Sequence, residues 1–306
     1  QYTGQDAWID TPTTATTNYS IVDSPTQLQQ TESINSLKIS DTAAGHSLDL
    51  NGKILTVTSG GILYVGSNGY TIQDVAGGGS LKSNTATASD LIFHNYGGGA
   101  LNVSAVIANG IGTSVVSVGG PGTTILSGIN TYTGITSAGG GAVLSIGANS
   151  GLGLFTTGAA LTLNNATLQA TNSFALDNGG ANIRAIAMGP GGGTFDVTGA
   201  NTLTVRGVVS GTGSLTKVGT GTLLLTTGVN TYTGGFTNIR EGSLQLGGTT
   251  GSITAGNIVV LGNGTTSGKL VLGEASSIKA QTIAGLMTLG SGTDNAVVAG
   301  GAATNS

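Results

Sequence analysis

The sequence predicts an all-β chain wound as a parallel β-solenoid, and three observations carry that expectation. Apolar residues alternate with small polar ones over strand-sized runs, glycine cuts those runs, and a seven-residue motif returns after a hundred residues.

The runs come first. Leu48-Asp49-Leu50, Ile54-Leu55-Thr56-Val57, Ile62-Leu63-Tyr64-Val65, Leu161-Thr162-Leu163, Leu203-Thr204-Val205 and Leu270-Val271-Leu272 each place apolar side chains on one face of a strand and mostly polar ones on the other. Threonine is abundant where helix formers would otherwise stand, and its branched Cβ suits a pleated backbone with one wet face. The 56 glycines, against 4 prolines, lack a three-residue period and sit between the runs. That placement suits corners, where the backbone takes positive φ and neighbouring turns of chain pack closely.

The repeat then selects the architecture. Gly128-Ile129-Asn130-Thr131-Tyr132-Thr133-Gly134 returns as Gly228-Val229-Asn230-Thr231-Tyr232-Thr233-Gly234, and Leu144-Ser145-Ile146-Gly147 returns as Leu244-Gln245-Leu246-Gly247 at the same spacing. Inside each long unit the strand–glycine beat is shorter, roughly 20 residues, a coil of strands alone. Hairpins would need tight two-residue turns, yet only Asn51-Gly52, Asn68-Gly69, Asn109-Gly110, Asn178-Gly179 and Asn263-Gly264 provide them, too few for an antiparallel sandwich. In-register stacking instead sets like residues about 4.8 Å apart in ladders.

Composition narrows the function classes. Charged residues are 7% of the chain and apolar ones 38%, so a core is affordable and compositional disorder is not expected. The net charge of −4 is spread without runs of either sign, so neither nucleic acid nor anionic lipid is an expected partner. No stretch approaches the roughly 18 apolar residues of a membrane helix, so no membrane insertion is expected in this segment. The chain lacks cysteine, which removes disulfides and thiolate metal sites. Its start at Gln1, without a basic-then-apolar leader, is read as the sign of a processed, secreted product.

Residues 213–225 (Gly-Ser-Leu-Thr-Lys-Val-Gly-Thr-Gly-Thr-Leu-Leu-Leu), Asn230-Thr231-Tyr232-Thr233-Gly234-Gly235 and Glu241-Gly242-Ser243-Leu244-Gln245-Leu246 together resemble the autotransporter-associated β-strand repeat of bacterial passenger domains. A weaker copy spans 119–147, lacking the Leu-Thr-Lys opening and carrying Ile135 where the stronger copy, 213–247, has Gly235. Ile183-Arg184-Ala185-Ile186 and the glycines of 189–193 resemble spacer coils of such proteins, so the likeness covers about 100–290 well and 35–100 loosely. The resemblance implies a right-handed parallel β-helix, secretion or display on the bacterial surface, and an adhesive or scaffold role. The membrane barrel that exports an autotransporter is not in the sequence, so a released passenger, an excised fragment or a differently exported relative is expected.

Chemistry-bearing residues are sparse. From Asp41 onward the acids stand at least eight residues apart, without the paired carboxylates of polysaccharide-cleaving β-helices, so no catalytic residue is expected and the protein is read as a non-enzyme. His46 and His94 lack metal-ligand spacing, and no calcium-binding glycine–aspartate beat occurs, so no metal is expected. The loop 189–193 lacks the Lys-Ser/Thr ending of a phosphate cradle, so no cofactor is expected either.

The repeat positions Asn130, Tyr132, Gly134, Asn230, Tyr232 and Gly234 are read as structural: asparagines bonding turn backbone, tyrosines stacking over corners, glycines at the corners themselves. An exposed ring for carbohydrate is the competing reading of the tyrosines. Lys217 and Arg240 are read as solvated, and Arg184 and Arg206 as placed to pair with Asp177 or Asp196.

Residues 1–30, with Trp8 and few glycines, are set apart as an arm, cap or linker, and 31–306 as the solenoid. Open end coils invite another subunit, so self-association end to end or by strand addition, with Trp8 in the assembly arm, is expected beside attachment to surface glycans or other cells. Two rival functions stay open. A carbohydrate-active enzyme would gather three or more of the scattered acids and bases in one groove, and a glycan-binding module would line up Tyr64, Tyr70, Tyr96, Tyr132 and Tyr232 on one face.

Overall fold

The computed structural model describes residues 15–22, 26–83, 89–154, 160–177, 183–226, 228–248, 250–274 and 277–300. Trp8 lies outside the described residues. The described chain is a parallel β-solenoid, and the one helical element among these residues is a short 3-10 turn, Asn149–Leu152. It divides into two compact units, Gln1–Ile146 with Ser150–Ala159 and Gly147–Asn149 with Ala160–Ser306.

In the first unit one sheet stacks Asn18–Ile21, Ser36–Ile39, Gly61–Tyr64, Ser89–Asn95, Ser114–Gly119 and Thr136–Gly139 in parallel. A second stacks Thr26–Gln27, Ser47–Asp49, Tyr70–Gln73, Leu101–Val103, Thr123–Leu126 and Val143–Ile146. Glu32–Ile34, Ile54–Val57 and Ser80–Ser83 make a third. The stacking begins at Asn18, inside the segment set apart as an arm: Tyr19 stands opposite Leu37, and Leu28 is fully buried. With only a few residues of alternation and no glycine beat, that strand leaves little trace in sequence.

The second unit repeats the plan. Its sheets are Ala160–Asn164, Ala185–Met188, Val209–Gly211; then Ala166–Ala170, Gly193–Val197, Leu215–Val218, Phe236–Ile239, Ile258–Leu261, Gly285–Thr288; then Phe174–Ala175, Thr202–Val205, Thr222–Leu225, Gly242–Leu246, Gly268–Glu274, Ala296–Ala299. The short pairing of Gly273–Glu274 with Ser277–Ile278 is antiparallel.

Register makes the ladders. Leu37, Ile62, Phe93, Val118 and Ala138 form one buried column, and Leu203, Leu223, Leu244 and Leu270 form another. Each buried leucine contributes about 1.5–3 kcal/mol relative to exposure, so such columns are the main source of cohesion. On the outer faces hydroxyls pair, as Ser117 with Ser137 at 2.9 Å. Coil length is uneven: Thr202 lies opposite Thr222, twenty residues on, whereas Tyr70 lies opposite Leu101, thirty-one on. Asn51-Gly52, a hairpin signal in sequence, is a positive-φ corner (50° and 75°) joining strands of two different sheets.

Candidate functional site

The two copies of the repeat build the same corner. Asn130 is buried; its Oδ1 accepts the N–H of Ile107 at 2.8 Å and its Nδ2 donates to the carbonyl of Gly151 at 2.8 Å, on the next coil. Asn230 does the same, accepting from Val209 at 2.7 Å and donating to Ser252. Tyr132 and Tyr232 are fully buried, with hydroxyls 2.7 Å from Thr136 Oγ1 and 2.6 Å from Thr237 Oγ1. Burial pushes the Tyr232 phenol well above its usual range, against hydrogen bonds to Thr237 and Asn257 that pull it down. Gly134 and Gly234 lie where coils touch: a Cβ would come 2.2 Å from the Ser114 carbonyl oxygen and 2.1 Å from the Ser214 nitrogen. The two asparagines thus bond to neighbouring coils, the tyrosines bond within their own coil, and the glycines leave room for the coil beside them.

Lys217, read from sequence as solvated, is fully buried. It lies two residues along the strand from buried Leu215 and so points inward, then turns its ammonium to the carbonyls of Val218 (2.6 Å), Gly219 (2.7 Å) and Glu241 (3.2 Å). Burial lowers its pKa to about 8, with Asp196 and Glu241 opposing the shift. Arg240 is exposed. Arg206 pairs with Asp177 at 2.7 Å, while Arg184 is buried.

Of the five tyrosines considered for a glycan face, Tyr64, Tyr70, Tyr132 and Tyr232 are buried, because each falls on an inward position or corner; Tyr96 is 60% exposed. A line of five exposed rings therefore does not form.

Three places gather groups that sequence reasoning did not bring together. At the first, buried Asp41 accepts the N–H of Ala43 at 2.8 Å and lies 2.7 Å from His46 Nδ1, with Tyr64 and Tyr70 rings 6.4 Å apart. Burial first, then the charge of Asp41, raises both phenol pKa values. A buried carboxylate on Nδ1 orients an imidazole, which is half of an acid–base dyad.

At the second, Glu241, Lys269 and Asp294 converge on a groove of about 410 Å³ also lined by Thr220, Ser243 and Thr266. This is the convergence the enzyme reading requires. Glycoside cleavage also needs a carboxyl held as a proton donor by an apolar pocket. Asp294 is 72% exposed and bonded to Lys269 at 2.6 Å, so it has no such pocket.

At the third, His94 and Tyr96 stack on the outer face of the first sheet, beside a hollow of about 290 Å³. Among the described residues no group of three histidine or acid side chains is placed to hold a metal, and no helix is long and apolar enough to cross a membrane.

Comparison with known proteins bears on the second unit most directly. The passenger-associated-transport-repeat model matches residues 215–246, the span that carries Lys217, Asn230, Tyr232 and Gly234. The adhesin BmaC autotransporter of Brucella suis biovar 1 (strain 1330) is 35% identical over 154 residues, 50% of this chain and 4% of that protein. The chain thus matches a small fraction of that relative's length. No solved structure matches the chain.

Proposed function

As a parallel β-solenoid that carries a passenger-associated transport repeat, this chain is, we propose, a length of non-enzymatic adhesive shaft on the outside of a bacterial cell. The observation that carries the reading is the fate of its chemistry-bearing residues in the repeat. Asn130, Asn230, Tyr132, Tyr232 and Lys217 are spent on bonds within and between coils, as a stacked scaffold requires. Similarity to an adhesin supports an attachment role and an extracellular location.

Beads coated with the chain should hold to host epithelial cells more strongly than beads coated with an inert protein of equal size. Equal retention would overturn the adhesive part. The enzyme reading rests on the groove of Glu241, Lys269 and Asp294. Under the proposal, prolonged incubation with plant and animal polysaccharides releases no reducing ends; release that disappears in E241Q would replace the shaft by a hydrolase.

Self-association belongs to the same proposal. At the last described coil the inward columns continue into Leu286 and Val297, which are 52% and 42% exposed. An uncovered coil end favours stacking of a further coil, from more chain or from a second copy. Sedimentation should show mass rising with concentration for the wild type and a single monomer for L286D/V297D. A wild type that stays monomeric throughout would remove the assembly claim.

A further inference from the structure

We propose that the outer face of the first sheet binds the ring of a neutral hexopyranose, with Tyr96 as the stacking platform and His94 and Leu63 beside it. The inference gives the adhesive reading a ligand class and rests on that reading for its biological sense.

The site is built by alternation. Phe93 and Asn95 of the strand Ser89–Asn95 are buried, which turns His94 and Tyr96 outward. His94 stands opposite Leu63 on the preceding coil, and the N–H of Tyr96 donates to the carbonyl of Tyr64 at 2.9 Å, which fixes the base of its side chain. The two rings stack with centroids 6.1 Å apart and planes 27° apart. Gly119 lies opposite His94 on the following coil; a Cβ there would stand 2.9 Å from Nδ1, so glycine is what lets the imidazole lie over the strand. Gly61 and Ile62 form the floor of the hollow, and its volume of about 290 Å³ suits a single ring at the small end of ligand sites.

The chemistry of the lining names the ligand. A sugar ring has a face of C–H groups and a rim of hydroxyls. An exposed phenol ring offers the first an apolar surface, and its hydroxyl with the imidazole nitrogens offers the second donors and acceptors. Among the described residues the lining of the hollow carries no carboxylate or ammonium, which suits an uncharged ring; Lys38 stands opposite Leu63 one coil before it, outside that lining. The next outer column of the same sheet runs Gly61, Ile92, Ser117 and Ser137, so the surface beside the aromatic pair is apolar and turns to hydroxyls only on the following coils. One shallow ring site binds weakly by itself, and many copies on a cell surface would supply avidity.

The test uses the whole chain in saturation-transfer NMR with lactose, maltotriose and 3′-sialyllactose. Lactose or maltotriose should receive saturation from Tyr96 and His94. Y96A should weaken binding by about tenfold, equivalent to about 1.4 kcal/mol, while Y96F stays within about twofold because the ring remains. Tyr96 is exposed, so Y96A should keep the circular dichroism of the wild type. No transfer from either neutral sugar, equal binding by Y96A, or tighter binding of the sialylated sugar would each overturn the proposal. Coated beads separate the two readings. If neither neutral sugar binds while wild-type beads hold to cells, the sugar site fails and adhesion stands; if the wild type binds lactose while its beads hold to no cell, adhesion fails and the site stands.

Discussion

The buried ammonium of Lys217 donates to the carbonyl of Glu241 one coil onward, at 3.2 Å, so a charged side chain serves as a tie between coils. Its folded pKa of about 8 lies below the ordinary value of 10.5. Between those values the unfolded chain binds more protons, so stability rises with pH across this window and the gain is lost as pH falls through 8. The shift corresponds to up to about 3 kcal/mol. Urea unfolding at pH 7, 9 and 10.5 should show the wild type gaining on K217M as pH rises. K217M should also be weaker at pH 7 by about 2 kcal/mol, because three carbonyls lose their donor. A difference between the two proteins that is flat with pH would show that Lys217 does not titrate in this window.

Asn130 and Asn230 each close a buried N–H and a carbonyl on opposite sides of the coil. Replacement by leucine keeps the approximate volume and leaves both backbone groups unpaired, at about 1–3 kcal/mol for each group. N230L should therefore speed hydrogen exchange at Val209 by at least tenfold without disturbing amides near Asn130. Unchanged protection at Val209 would mean that another acceptor takes its N–H.

Gly234 and Gly235 are neighbours with different reasons to be glycine. A Cβ on Gly234 would stand 2.1 Å from the Ser214 nitrogen, and backbone there cannot give way without parting the coils; Gly235 has φ +81° and open space within 4 Å. G235A should cost only the left-handed strain, about 1–2 kcal/mol. G234A should cost more than 3 kcal/mol or prevent the coil from forming, as overpacking against backbone does. Ile135 supports the comparison: it takes the place of Gly235 in the weaker copy and is not among the described positive-φ residues, so that corner follows another path. Thermal unfolding of the two alanine variants decides the order.

The ladders were legible because alternation and repetition are local: Leu203, Leu223 and Leu244 can be set in one column from spacing alone. The burial of Lys217 was not read from the sequence: it shares a strand face with Leu215, but its charge argued for solvent and the carbonyl cage has no sequence signal. Convergence of Glu241, Lys269 and Asp294 was not legible. They come from different coils, and coil lengths between twenty and thirty-one residues hide which residues stand above one another. The outward pairing of His94 with Leu63 was hidden for the same reason.

Tyr232 allows a last test, in which a hydrogen bond and a titration act in opposite directions. Burial raises its phenol pKa above the ordinary value of 10, so above pH 10 the folded state holds a proton that the unfolded state releases. Stability from this group is fully present below pH 10 and falls above it by up to about 1.4 kcal/mol per pH unit. Y232F cannot titrate, and it gives up the 2.6 Å bond to Thr237, worth about 1 kcal/mol. The phenylalanine variant should therefore be the weaker protein at pH 7 and should draw level near pH 11, as the wild type loses what the variant never had. Tyr70 is raised in the same direction, by burial and then by Asp41, but it is present in both proteins and cancels in the comparison. Urea midpoints measured from pH 7 to 11.5 give the crossing directly. Parallel curves would mean that Tyr232 ionises without unfolding the corner, and that water reaches the ring at high pH.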